Sequence, residues 1–155
     1  MIPVYQDMSV ANDGHGNCFN ACIASILERP LREVAAIYPR RPVKAPEDES
    51  RAEKVERLQA NEDWQDQWDA WLLEQGYELV VHAPEKPPKG YSIASGKSTR
   101  TYPDGHPRAG ERIAHAVVCF DGVPVHDPFP VKGGFDGIWH FQTLRRVAIK
   151  AERAA

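Results

Sequence analysis

The sequence predicts an α+β domain in which an N-terminal helix bearing a cysteine packs on an antiparallel sheet bearing a histidine and an aspartate. Three observations predict it. Phe19, Cys22, Ile23, Ile26 and Leu27 fall at i, i+3, i+4, i+7 and i+8, one apolar face of a helix with a period of about 3.6. Ile113 to Phe120 is apolar apart from His115, the pattern of a central strand buried on both faces. Asp121-Gly122 then marks a turn, after which Val123 to Pro128 returns antiparallel.

A chain of 155 residues suits a single domain over 1–155, long enough to bury its core without disulfide staples. With 19 basic and 22 acidic residues the net charge is −3, so no broad attraction to nucleic acid or to an anionic membrane is expected. Three cysteines without a framework spacing suit reduced thiols. No signal-peptide pattern and no run of about 18 apolar residues is present, so a soluble, cytoplasmic protein is expected.

Cys18 stands where a glycine-punctuated loop, Asn12 to Asn17, meets the first helix. Gly14 and Gly16 ease the turn, and Asn17 is a suitable N-cap that leaves Cys18 in the first helical turn. Unpaired N–H groups and the positive dipole end there favour a thiolate. A helix terminus alone rarely activates a thiol, so an imidazole partner is required. Cys22, one turn deeper on the apolar face, reads as core.

The remaining elements follow in chain order. Ile2 to Tyr5 suits an edge strand or an extended arm. Gln6 can serve as an oxyanion donor or as a solvated loop residue. Pro30 opens a short helix over Leu31 to Tyr38, closed by Pro39 and Pro42. The polar stretch 42–63 is either an exposed helix or a flap. Trp64, Trp68, Trp71 and Leu72 mark an amphipathic helix, with Asp63 as cap and Gly76 as stop. Tyr77 to His82 and Tyr91 to Ser95 read as strands. Residues 97–112 form a long polar loop expected to border a site. Gly96-Lys97-Ser98 lacks the spacing of a phosphate loop, which argues against nucleotide binding there. One or two closing strands lie within Ile138 to Ile149, followed by a frayed end over 150–155.

Register decides which residue serves His115. A two-residue Asp121-Gly122 loop in plain register puts His126 on its face. A three-residue loop, Phe120-Asp121-Gly122, puts Asp127 opposite it, and this register is the one expected. A carboxylate beside the imidazole would fix its tautomer and stabilise the imidazolium.

Ile2-Pro3-Val4-Tyr5-Gln6, Cys18 at a helix start, His115-Ala116-Val117-Val118 and Val125-His126-Asp127-Pro128 together resemble the papain-like cysteine peptidases of the bacteriocin-leader-cleaving, C39-like kind. The Asp13-Gly14 to Phe19 stretch also resembles that of ovarian-tumour-type deubiquitinases. The resemblance implies a papain-like fold, with Cys18 as nucleophile, His115 as general base, Asp127 as its orienting carboxylate and Gln6 at the oxyanion hole. Gln6 stands further from Cys18 than in that family, and Phe19 replaces the glycine that follows the nucleophile there.

The expected function is therefore a cysteine hydrolase, a peptidase or amidase, acting by acyl transfer on a peptide or protein substrate. Cys18, His115 and Asp127 carry the chemistry, Gln6 or Asn17 assists the Cys18 N–H at the oxyanion, and neither metal nor cofactor is called for. An inactive papain-like binding module is the alternative. A metal hydrolase built on His115, His126 and Asp127 with His106 or His140 ranks last, for want of a metal-binding spacing.

Overall fold

The computed structural model describes residues 1–13, 15–38, 49–106, 108–130 and 134–148. It is an α+β fold. A short helix α1 (Val10–Asp13), the helix α2 (Cys18–Leu27), a 3-10 turn (Leu31–Glu33) and the long helix α3 (Arg51–Glu74) precede five strands. These are β1 (Tyr77–His82), β2 (Tyr91–Thr101), β3 (Arg112–Phe120), β4 (Val123–His126) and β5 (Phe135–Arg146). They form one antiparallel sheet in the order β1-β5-β2-β3-β4. The last strand thus inserts between the first two and leaves β4 at an edge.

α2 lies against β3 and β2, and α3 against β1. Residues Phe19 to Ser25 are all buried, as the apolar period requires. Phe19, Cys22 and Ile23 meet Trp68 and Leu72 of α3 and Ile93, Ala116 and Val118 of the sheet. Trp68 is fully buried and Trp64 and Trp71 pack, partly buried, against the same cluster, with Phe19 edge-on to both Trp64 and Trp68. Burying Trp68 and Leu72 completely contributes on the order of 2 kcal/mol or more each. Ala94, Val117, Cys119 and Phe141 form a second cluster. His115 alternates in phase with Val117 and Cys119 and lies on their side of β3.

Several boundaries differ from the expectation. The polar stretch and the tryptophan stripe are one helix. Asp63 is interior to it, and Ser50 and Glu53 start it with a reciprocal capping box. Of 42–63, residues 51–63 are therefore helix rather than a flap, and 42–48 lie outside the described residues, as do Gly14, Pro39 and residues 149–155. The proposed helix over Leu31 to Tyr38 shrinks to the 3-10 turn, and Ile2 to Tyr5 is an extended arm outside the sheet. The 97–112 loop is shorter than expected, because β2 continues to Thr101 and β3 begins at Arg112.

β2 runs that far by virtue of Gly96, which pairs with His115 on one side and Ile138 on the other. A Cβ there would overlap the Gly137 carbonyl oxygen and lie 2.7 Å from Phe135 Cε1. The absent side chain is what lets β5 and the Phe135 ring close over the strand beside His115. Gly96→Ala should therefore destabilise the protein by about 1–3 kcal/mol, read from urea denaturation. A neutral substitution would show that β5 does not approach so closely.

Candidate active site

Asp127 reaches His115 through a bulge. Asp121 and Gly122 both take left-handed backbone, φ 49° and 80°, the requirement of a two-residue hairpin turn. Phe120 accordingly faces Val123 and Cys119 faces Pro124, but Val118 then faces His126, leaving Val125 as an extra residue. The expected three-residue turn is thus corrected to a two-residue turn followed by a β-bulge. Either device shifts the pairing by one residue and moves Asp127 to the His115 side of the sheet. The bulge sets it diagonally from His115 instead of directly opposite.

The contact is short: His115 Nε2 lies 2.6 Å from Asp127 Oδ1. The same oxygen accepts from the Phe129 N–H at 2.9 Å, so the carboxylate also braces the turn at Pro128. The His115 ring is buried between Phe129 and Phe135, with centroids 6.5 and 6.0 Å away. It also hydrogen bonds to Cys18, the first residue of α2 and half-buried. With Nε2 engaged by Asp127, Nδ1 is the nitrogen left for the thiol side. Cys18, His115 and Asp127 are therefore one connected group.

The N-terminal arm ties the helix to the sheet. The Ile2 N–H donates to Ser25 O at 3.1 Å and the Val4 N–H to Ser25 Oγ at 2.9 Å, both on α2. On the sheet side, His126 Nε2 donates to Val4 O at 2.7 Å and the Gln6 N–H to Pro128 O at 3.0 Å. Asn17 extends this stitching. Its Oδ1 accepts from the Asp7 and Met8 N–H groups at 3.2 and 3.1 Å, and its Nδ2 donates to Asp7 Oδ1 at 2.6 Å. At the N-cap position its side chain makes no capping bond, because the arm has claimed it.

Gln6 lies beside the loop that precedes Cys18, its Nε2 3.3 Å from where a Cβ on Gly16 would stand. That nitrogen donates to Met8 O at 2.8 Å, and Oε1 is buried without a partner among the described residues. His126 points its ring at the arm, away from the His115–Asp127 pair. Among the described residues no three metal-ligating side chains cluster, so the metal-hydrolase constellation is not assembled.

One functional neighbour lies where the sequence suggested only a loop. Arg100, near the end of β2, places its guanidinium carbon 3.6 Å over the Phe129 ring and its Nη2 3.5 Å from His115 Nδ1. Only its strand extension, hidden by the polar composition of 97–101, could have signalled it.

Electrostatics raise the two deeper thiols. Burial pushes the Cys119 thiol up to about 11, and burial, reinforced by the charge of Cys18, raises Cys22 well above the ordinary thiol range. Burial alone would lower the His115 pKa, but hydrogen bonds to Asp127 and Cys18 and their charges overcome it, raising the imidazole from 6.5 to about 9. Burial would raise Asp127, and the hydrogen bond and charge of His115 outweigh it to hold the carboxyl below the usual range.

No family model, curated protein or solved structure matches this chain. The reading of the site rests on its own geometry. No helix among the described residues is long and apolar enough to cross a membrane.

A raised folded-state pKa means that the fold prefers the imidazolium. His115 thus contributes stability that is complete below about pH 6.5 and lost as pH rises through about 9. Asp127→Asn removes one of the two hydrogen-bonded partners that raise it. The His115 titration, followed by NMR, should move down, and the stability difference between pH 6 and pH 10 should shrink. An unmoved titration would show that the carboxylate does not hold the ring.

Proposed function

We propose that this protein is a cysteine hydrolase of papain-like arrangement, a peptidase or amidase using Cys18, His115 and Asp127. The observation that carries this reading is the single imidazole hydrogen bonded both to a carboxylate and to a thiol at a helix start. An imidazolium that persists to about pH 9 favours the adjacent thiolate, and Asp127 fixes which ring nitrogen faces it.

In the reaction Cys18 Sγ attacks the carbonyl carbon, the carbonyl π pair moves to oxygen, and the Cys18 proton resides on His115. Collapse of the tetrahedral intermediate expels the amine, which takes that proton. Water, deprotonated by the same imidazole, then cleaves the thioester and restores the thiol. The Cys18 N–H, in the first turn of α2, serves as an oxyanion donor. Asn17 is assigned instead to holding the arm, and Gln6 keeps an oxyanion role only if its amide exchanges Met8 O for substrate.

A groove of about 660 Å³ runs between the arm and the ends of β2 and β3, lined by Gln6, Met8, Thr99, Arg100, Ile113 and Phe129. Arg100 and Phe129 also border the His115 ring, so the groove shares two residues with its surroundings. An extended peptide segment suits such a cleft.

Iodoacetamide at pH 7 should label Cys18 on the order of a hundredfold faster than Cys22 or Cys119, by mass spectrometry of the intact chain. His115→Ala should slow Cys18 by about a hundredfold or more. p-Nitrophenyl acetate should give a stoichiometric burst that Cys18→Ala abolishes and that declines above about pH 9, as the imidazolium is lost. Equal, slow labelling of all three thiols with no burst would leave a binding module in place of an enzyme.

A further inference from the structure

Beside the proposed triad lies a charge that the triad chemistry does not call for. Thiolate, imidazolium and carboxylate sum to one net negative charge, and His115 is buried with both of its partners half-covered. Placing an uncompensated charge in such a setting is costly. Arg100 is a further cation beside the ring, with Nη2 3.5 Å from His115 Nδ1. Burial lowers the Arg100 pKa, and the charges of Asp127 and Cys18 act in the opposite sense. Among the described residues Arg100 makes no ion pair with a carboxylate of its own.

Its placement is fixed from behind. The guanidinium lies 3.6 Å from the Phe129 centroid, a flat contact that orients the fork without consuming its terminal N–H groups. Phe129 is itself held by its N–H on Asp127. The carboxylate that orients His115 therefore also positions the shelf on which Arg100 rests.

We infer that Arg100 is the fourth charge of the site, a catalytic residue that holds the Cys18 sulfur as thiolate and then the oxyanion derived from the substrate carbonyl. This rests on the hydrolase reading above.

Proton transfer explains how one guanidinium serves both states. With Cys18 as thiol, the neutral ring donates from Nε2 to Asp127, and Nδ1 can accept weakly from Nη2. When the proton moves from Sγ to Nδ1, ring and guanidinium are both donors and cannot bond to each other. The atom that satisfies both is the sulfur anion, and the array of Asp127, His115, Cys18 and Arg100 stays neutral overall through the transfer. As Sγ bonds to the carbonyl carbon, the negative charge passes to the carbonyl oxygen. Arg100, which lines the groove, remains beside it. Gln6 and Asn17, whose amides are engaged by the arm, are then not needed for that task.

The test is the pH at which the Cys18 thiolate appears, followed by absorbance at 240 nm and by the iodoacetamide rate, with Cys18→Ala as the blank. Arg100→Gln should raise that onset by about one pH unit, slowing alkylation about tenfold below it. Arg100→Met should do the same, and either variant suffices if the other fails to fold. Arg100→Lys separates charge from packing and should recover at least half of the shift. An unchanged onset in a folded Arg100→Gln or Arg100→Met protein, or an equal shift in Arg100→Lys, overturns the proposal while leaving a reactive Cys18 intact. A wild-type Cys18 that ionises only at the ordinary thiol value, about 8.5, overturns the hydrolase reading and this one with it.

Discussion

The phase of one edge strand governs the site. A pleated strand sends alternate side chains to opposite faces, so β4 can present either His126 or Asp127 to the His115 side, never both. The extra residue at Val125 selects Asp127. It also sends the His126 ring to Val4 O, where it fastens the N-terminal arm. A single bulge therefore supplies a carboxylate to the imidazole and an anchor to the segment that aligns the helix. Removing it would exchange the two residues and disable both functions at once.

That arm turns two packed layers into one site. α2 and the sheet share an apolar core, but apolar packing is non-directional and does not by itself define hydrogen-bond distances between Cys18 and His115. The arm bonds to Ser25 on the helix and to His126 and Pro128 at the end of β4, fixing the two layers at the edge where Cys18 and His115 lie. Asn17 secures it one residue before Cys18. Each such bond contributes only about 1 kcal/mol. Their value is geometric, since preorganisation of reacting groups depends on positions held within fractions of an ångström.

Much of this was legible in the sequence, for reasons that also explain the rest. The Cys18 helix and the His115 strand are strongly periodic and lie at the core, so period alone locates them. α3 was divided because its first half is solvated and carries almost no apolar stripe. The helix there depends on the Ser50–Glu53 capping box and on continuity with the tryptophan turns. The turn was assigned from parity alone. A three-residue loop and a two-residue loop with a bulge give the same faces, so the sequence pattern could not distinguish them. Asn17 was assigned by local capping preference, and a tertiary demand from Asp7 and Met8 prevailed. The path of β5 between β1 and β2 is a non-local choice with no local signature.

The same limits explain why Arg100 was missed, and why it alters the physics of the site. Residues 97–101 read as loop because none of them is apolar, so no alternation marks a strand. In the fold Gly96 lets β5 close over β2, and the strand continues past it to deliver Arg100 against Phe129. The proposed triad, taken alone, needs an oxyanion donor, a role the sequence offers to the upstream amides. Considered as a partly buried ion array, it raises a prior question: what cancels the third charge. Neutral amides can offer hydrogen bonds, but they carry no net charge with which to balance a thiolate beside a carboxylate. A guanidinium supplies both, and its weak hydration makes it the less costly cation to desolvate.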